Sequence, residues 1–219
     1  MPSSNSTLYQ VSVCCLFFGY KDNELKLLVQ NGNGGKFCFP QKPLQPEATL
    51  YGTACAVADS LLQKNDYYIK QIGASDVSDP LHEVPKLTIM YYVLTQCDNL
   101  QLGISGTDSF HWVTLSETNL SGEQKMQVET ALKRIRRKIS IRPIAFYLLP
   151  KLFTLSQLQH LYELILNSPV DKRNFRKRVC EMYYIQQTEL IDKTSSKRGA
   201  HLYTFNPELY RKSRIIFKL

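Results

Sequence analysis

Residues 154–182, TLSQLQHLYELILNSPVDKRNFRKRVCEM, decide the reading of the C-terminal half. Thr154 is followed three residues later by Gln157, the spacing at which two side chains satisfy each other's backbone N–H groups at a helix start. The predicted helix runs to about Leu166 and gathers Leu155, Leu158, Leu161, Tyr162 and Ile165 on one face. Asn167-Ser168-Pro169 interrupts it. Ser168 is suited to cap a following helix and Pro169 to open it, where a missing N–H costs nothing. That helix is predicted over 169–181, with Phe175, Val179 and Met182 facing inward. Lys172 with Arg176, and Arg173 with Lys177, pair like charges four residues apart on the outer side. Such pairs weaken an isolated helix. They become favourable against a polyanion, and a helix fits the DNA major groove.

Downstream, 183–188 (YYIQQT) and 201–205 (HLYTF) read as two strands joined by a polar loop carrying Lys193, Lys197 and Arg198. Two helices, a turn and a hairpin with a basic tip make a winged helix. A basic helical subdomain for protein contacts is the plainer alternative. Upstream, 143–149 reads as a short helix with Pro143 in its first turn and Pro150 ending it. Before it, 123–139 carries Val128, Leu132, Ile135 and Ile139 on one face, and Lys133, Arg134, Arg136, Arg137 and Lys138 on the other. Phosphate contact or a domain-connecting role both suit that basic face. The expected organisation is an N-terminal domain over 1–120, a basic connecting helix over 121–142 and a winged helix over 143–219.

Charge supports this division. The chain has 219 residues and a formal net charge of +8. Residues 1–120 hold seven Lys and no Arg against eleven Asp and Glu, a net of −4. Residues 121–219 hold twenty Lys and Arg against eight acids, a net of +12. A mildly acidic half followed by a strongly basic one is expected of a nucleic-acid binder. No run of eighteen apolar residues is available to span a membrane, and the polar first ten residues do not resemble a signal peptide. The six cysteines form no C-x-x-C pair, so reduced structural thiols in a bacterial cytoplasm are expected, with no metal and no cofactor.

In the N-terminal half, 9–18 (YQVSVCCLFF) and 25–30 (LKLLVQ) read as strands around an Asp22-Asn23 turn. A glycine-rich loop, NGNGG over 31–35, precedes an aromatic strand at 37–39. Residues 48–64 place Leu50, Ala54, Val57 and Leu61 on one helical face. Two more strands follow at 87–94 and 110–115. The predicted fold class is α+β, a mixed sheet with a packed helix followed by a winged helix-turn-helix.

This order, with F-x-F-P before the helix, resembles a Nudix domain. The Nudix signature is Gly, five residues, Glu, seven residues, Arg-Glu, an apolar residue, any residue, then Glu-Glu. Its carboxylates hold magnesium, a hard cation that wants oxygen ligands, against a pyrophosphate. Anchored on Glu47, the pattern puts Gln41 at the glycine, Cys55-Ala56 at Arg-Glu and Asp59-Ser60 at Glu-Glu. Anchored on Ala48, it leaves Lys42, Ala56-Val57 and Ser60-Leu61. Either way the metal-binding set is gone, and a cleft that binds without cleaving is expected. Lys42, Glu47, Glu83 and Lys86 are its candidate lining groups.

Residues 135–153 (IRRKISIRPIAFYLLPKLF), 154–166 and 171–178 (DKRNFRKR) resemble the Nudix-related transcription regulators of the NrtR type. Arg198, Ala200, Leu202 and Tyr203 extend the resemblance into the wing as an R-P-A-x-L-Y pattern, with Gly199 in place of the proline. That replacement predicts a more mobile wing tip. The resemblance implies a homodimer on a pseudo-palindromic double-stranded DNA operator, most members being repressors. It also implies a small-molecule effector in the Nudix-like domain, ADP-ribose-type nucleotides in some branches and pentose sugars in others. The family's common G-G-F-V segment is here Gln41-Lys42-Pro43-Leu44, which favours a sugar or sugar derivative.

The reading is a cytoplasmic, non-enzymatic, ligand-responsive regulator of a metabolic operon. Arg173 and Asn174 are the candidates for base edges, since Arg suits guanine and Asn suits adenine. Lys172, Arg176, Lys177, Lys197 and Arg198 are the candidates for phosphates, which position without specifying. The rivals are a divergent Nudix hydrolase acting on a nucleotide sugar and a non-catalytic protein-interaction adaptor.

Overall fold

β1 (Gln10–Lys21) is the spine of the N-terminal half, with Val13 through Tyr20 all buried. A strand covered on both faces reads as a continuous apolar run. The computed structural model describes residues 9–32, 36–77, 85–101, 110–117, 120–193 and 199–213. β2 (Glu24–Asn31) returns antiparallel through a tight turn at Asp22 and Asn23, whose φ of 54° and 60° give the positive values favoured in two-residue hairpins. β3 (Phe37–Cys38) pairs with β2, and β4 (Gln41–Pro43) with the start of β1. α1 (Leu50–Asp59) follows, then β5 (Tyr68–Val77), β6 (Lys86–Leu94) and β7 (Phe110–Thr114). The sheet runs β3-β2-β1-β6-β5, with β7 on β2, and β1 with β6 is parallel.

The pleat divides the core. Val13, Cys15 and Phe17 point to one face, where they meet Ala54, Val57, Ala58 and Leu61. Cys14, Leu16, Phe18 and Tyr20 point to the other, where they join Val128, Leu132 and Ile135 of α2 (Gly122–Ile139). The same cluster continues into Leu158, Leu161 and Tyr162 of α3 (Leu155–Leu166) and Phe175 and Val179 of α4 (Lys172–Cys180). One apolar core therefore joins the sheet to the C-terminal helices. The Tyr68 ring lies 6.0 Å from Tyr92 and 5.8 Å from Tyr147 across this junction. His160 Nε2 lies 2.9 Å from the Asn23 carbonyl on the hairpin turn.

Behind α2, 144–147 forms one 3-10 turn rather than a longer helix. β8 (Phe153–Thr154), β9 (Ile185–Asp192) and β10 (Ala200–Phe205) make a three-stranded sheet in the order β8-β10-β9, and α5 (Pro207–Lys212) closes the described chain. This is the α+β architecture expected, with a mixed sheet and a winged helix-turn-helix.

Several local expectations need correction. α1 is shorter than 48–64: the Thr49 hydroxyl accepts the Gly52 N–H at 3.0 Å and sets its start, and Ser60 ends it. Leu61 is nonetheless buried, just past the helix. α4 does not begin at Pro169. Asn167 takes a left-handed conformation (φ 54°) to end α3, and Asp171, not Ser168, caps α4 by accepting the Asn174 N–H at 2.7 Å. β5 carries no clear strand signal, because the apolar residues of YIKQIGASDV do not alternate.

The buried Cys14 and Cys97 thiols are each pushed up to about 12 by desolvation, so they stay protonated at neutral pH. No cysteine with a described position is disulfide-bonded.

Candidate nucleic-acid interface and ligand cleft

Phe175 and Val179 anchor α4, each 1 % exposed, with the Phe175 ring 5.7 Å from that of Tyr162. Every other residue of α4 is exposed. With about 100° per residue, Arg173 and Lys177 lie opposite the buried stripe, Asn174 on one flank and Arg176 on the other. Arg176 Nη2 also donates to Ser156 Oγ at 3.4 Å, tying the basic face to the first turn of α3. Lys172, Arg173, Asn174, Arg176 and Lys177 thus share one solvent-facing helix of about 13 Å. Arg178 is exposed on the same helix and was not singled out from sequence; its place within DKRNFRKR was the available signal.

The wing residues Lys197 and Arg198 lie outside the described residues. Beside them, Gly199 has φ 75°, and a Cβ there would stand 2.4 Å from Ile191 Cγ2. Proline is confined near −65°. Glycine at this position therefore answers a backbone requirement, whatever it does for mobility.

On α2, Arg136 does not join the outer basic face. Its Nε donates to the Ile165 carbonyl at 2.8 Å and its Nη1 to Glu129 Oε1 at 2.8 Å, so it connects two helices.

In the N-terminal half, Lys42 and Lys86 line one cleft of about 530 Å³ with Gln10, Ser12, Gln41, Pro43 and Thr88. Glu47 is exposed and not among its walls, and Glu83 lies outside the described residues. Lys42 pairs with Val13, so the pleat sends its side chain toward α1, whereas Lys86 and Thr88 pair with Gln10 and Ser12 on the opposite face. Lys42 Nζ donates to the Ala56 carbonyl at 3.2 Å. It also lines a second cleft, about 260 Å³, with Pro43, Gln45, Ala48, Gly52, Thr53 and Ala56.

These positions choose between the two signature registers. Val57 and Leu61 are 2 % and 4 % exposed, so the Ala48 anchor would bury two carboxylate positions in the core. The Glu47 anchor puts Val57 at the signature's apolar position and leaves Ala56, Asp59 and Ser60 outside. The Nudix fold implies magnesium, and this donor set does not fit it. Ala56 and Ser60 carry no carboxylate, and Asp59 accepts the Tyr67 O–H at 2.8 Å. Among the described residues no three His, Cys, Asp or Glu cluster to hold a metal ion.

Residues 145–205 match the family model of the NrtR DNA-binding winged helix domain. The "ADPR responsive transcriptional repressor NtrR" of Acinetobacter baylyi is 31 % identical over 122 residues, covering 54 % of this chain and 48 % of that protein. The chain thus spans about half the length of the curated relative it matches. Shewanella oneidensis NrtR, solved with a 27mer DNA, superposes with a TM-score of 0.76 at 22 % identity, covering 92 % of this chain and 95 % of that one. A MutT/nudix family protein from Enterococcus faecalis gives 0.67 at 15 % identity, over 94 % and 89 %. Residues 145–205 are thus similar to the NrtR winged-helix family, and they stand behind a domain with the Nudix-like fold.

Proposed function

We propose that this chain is a DNA-binding transcriptional repressor that acts as a homodimer and is released from its operator by a nucleotide-sugar effector. The observation that carries the reading is α4: five basic side chains and Asn174 face solvent while Phe175 and Val179 fix the helix to the core. Arg173 and Asn174 are assigned to base edges, and Lys172, Arg176, Lys177, Lys197 and Arg198 to phosphates. The effector is assigned to the clefts on either side of β4, where Lys42 and Lys86 supply positive charge. Those charges favour an ADP-ribose-type ligand over a neutral pentose, in keeping with the name of the Acinetobacter relative. The missing carboxylates on α1 speak against hydrolysis. Control of a metabolic operon remains part of the proposal.

A ligand can change DNA affinity only through unequal affinity for the DNA-competent and incompetent states. Fluorescence anisotropy on operator DNA from the gene's own neighbourhood tests the reading. ADP-ribose should weaken operator binding by about fivefold or more, and operator should weaken ADP-ribose binding by the same factor. Absence of sequence-specific DNA binding would overturn the regulator; magnesium-dependent cleavage of ADP-ribose, lost in Asp59→Ala, would favour the hydrolase.

A further inference from the structure

The chemistry of the α1 face differs in kind from that of a metal-dependent Nudix site. In the Glu47 register, Ala56 stands where the signature has the glutamate of Arg-Glu. The group that reaches this position is a cation, the Lys42 ammonium, 3.2 Å from the Ala56 carbonyl. Its stem comes from β4, which among the described strands pairs only with β1. The contact is therefore made at the sheet edge, open to the clefts on both sides. No carboxylate lines either cleft among the described residues, and the Ala56 carbonyl accepts a hydrogen bond from Lys42. A carbonyl offers only a partial negative charge, which leaves the ammonium's remaining N–H bonds and most of its charge for a ligand.

We propose that the Lys42 ammonium takes the place of the absent metal, binding a diphosphate directly in the cleft between β4 and α1 without a divalent cation. A metal-dependent site gathers carboxylates because magnesium must be held and the ligand's charge offset. A lysine offsets one of the ligand's negative charges with no carboxylates at all, as a compact point charge on a flexible stem. Carboxylates beside Lys42 would compete with the ligand for the ammonium, so a lysine here works best without them. The rest of an extended ligand crosses the edge strand into the larger cleft, where Gln10, Ser12, Thr88 and Lys86 present amide, hydroxyl and ammonium groups. The site then binds without activating water, because no carboxylate lines it among the described residues to hold a metal or act as a base. This inference rests on the effector site proposed above and gives it a binding cation, Lys42, and a metal-independent mode.

Calorimetric titration of the full chain with ADP-ribose and with inorganic pyrophosphate, each in EDTA and in magnesium, tests the proposal. Both ligands should bind in EDTA, and magnesium should not tighten them. Lys42→Met should raise the Kd about tenfold or more, whereas Lys42→Arg, which keeps the charge, should stay within about threefold. Lys42 is exposed, so melting temperatures of the variants should match wild type and separate lost binding from lost folding. Binding that requires magnesium, or that survives Lys42→Met unchanged, overturns the tethered-cation site. If ADP-ribose still releases operator in that case, the regulator stands and only this inference falls. Pyrophosphate binding that depends on Lys42, without any response to ADP-ribose, supports the cation site and overturns the choice of effector. Failure of both ligands to bind in either buffer overturns both.

Discussion

The Glu163 carboxylate accepts the Val170 N–H at 3.2 Å and so fastens the turn between α3 and α4 to the helix it leaves. Gln159 Nε2 donates to the same oxygen at 3.0 Å, and the Glu163 carbonyl accepts the Ser168 N–H at 3.3 Å. The bonds from Gln159 and Val170 hold the Glu163 carboxyl below its ordinary value of 4.5. A depressed folded-state pKa contributes stability above the unfolded value, and that contribution fades as pH falls through the folded one. Because solvent screens this poorly buried carboxylate, Glu163→Gln should lower stability by at most about 1 kcal/mol near neutrality, or at most about 2–4 °C in melting temperature. The deficit should begin to shrink as the pH is taken below 4.5 and vanish below the lower folded-state value, where wild-type Glu163 is neutral as well. A deficit of equal size at both pH values would show that the charge is not what holds the turn.

Arg136 should matter more than its neighbours on the basic face of α2. It satisfies the Ile165 carbonyl, one of the last four acceptors of α3, and pairs with Glu129. Arg136→Met keeps the stem and loses both bonds, for an expected cost of about 1.5–3 kcal/mol in urea unfolding. Glu129→Gln removes only a partly exposed ion pair and should cost less than about 1 kcal/mol. Equal losses from the two changes would mean that the inter-helix bond contributes little.

Salt and sequence should separate the roles on α4. If each protomer neutralises roughly four to six phosphates, the log–log salt slope for a dimer should be about −7 to −11. Lys177→Ala should weaken all DNA sequences alike, and Arg173→Ala should cost about 1–3 kcal/mol concentrated at one operator position. Indistinguishable profiles for the two variants on operator and random DNA would show the roles to be misassigned.

The wing offers a test of backbone against side chain. Gly199 combines φ 75° with a position where a Cβ would meet Ile191. Gly199→Pro restores the residue of the R-P-A-x-L-Y pattern, yet it should loosen the wing and weaken operator binding, since proline cannot adopt this φ. Gly199→Ala should destabilise by about 1 kcal/mol or more, and Ile191→Ala in the same chain should relieve only the steric part. Tighter operator binding by Gly199→Pro would show that the left-handed conformation is dispensable.

The sequence by itself determined what depends on neighbours a few residues apart. The Thr154–Gln157 capping box, the buried stripe of α3 and the opposition of Phe175 and Val179 to Arg173 and Lys177 all follow from helical spacing, and all stand in the structure. The lost Nudix carboxylates were equally legible, because a missing side chain is missing in any conformation. The tertiary structure decided what depends on partners far along the chain. Spacing alone left two signature registers open until the burial of Val57 and Leu61 against the sheet excluded the Ala48 anchor. Local composition pointed to Ser168-Pro169 as the start of α4; the left-handed Asn167 and the bonds of Glu163 fixed the turn and left the cap to Asp171. Arg136 looked like one of five equivalent cations, and only its approach to Ile165, 29 residues away, set it apart. Lys42 meets Ala56 because β4 lies along β1 while α1 packs on the adjoining face. Periodicity records which side of an element faces inward; it carries no record of what waits there, which is set by how the elements pack.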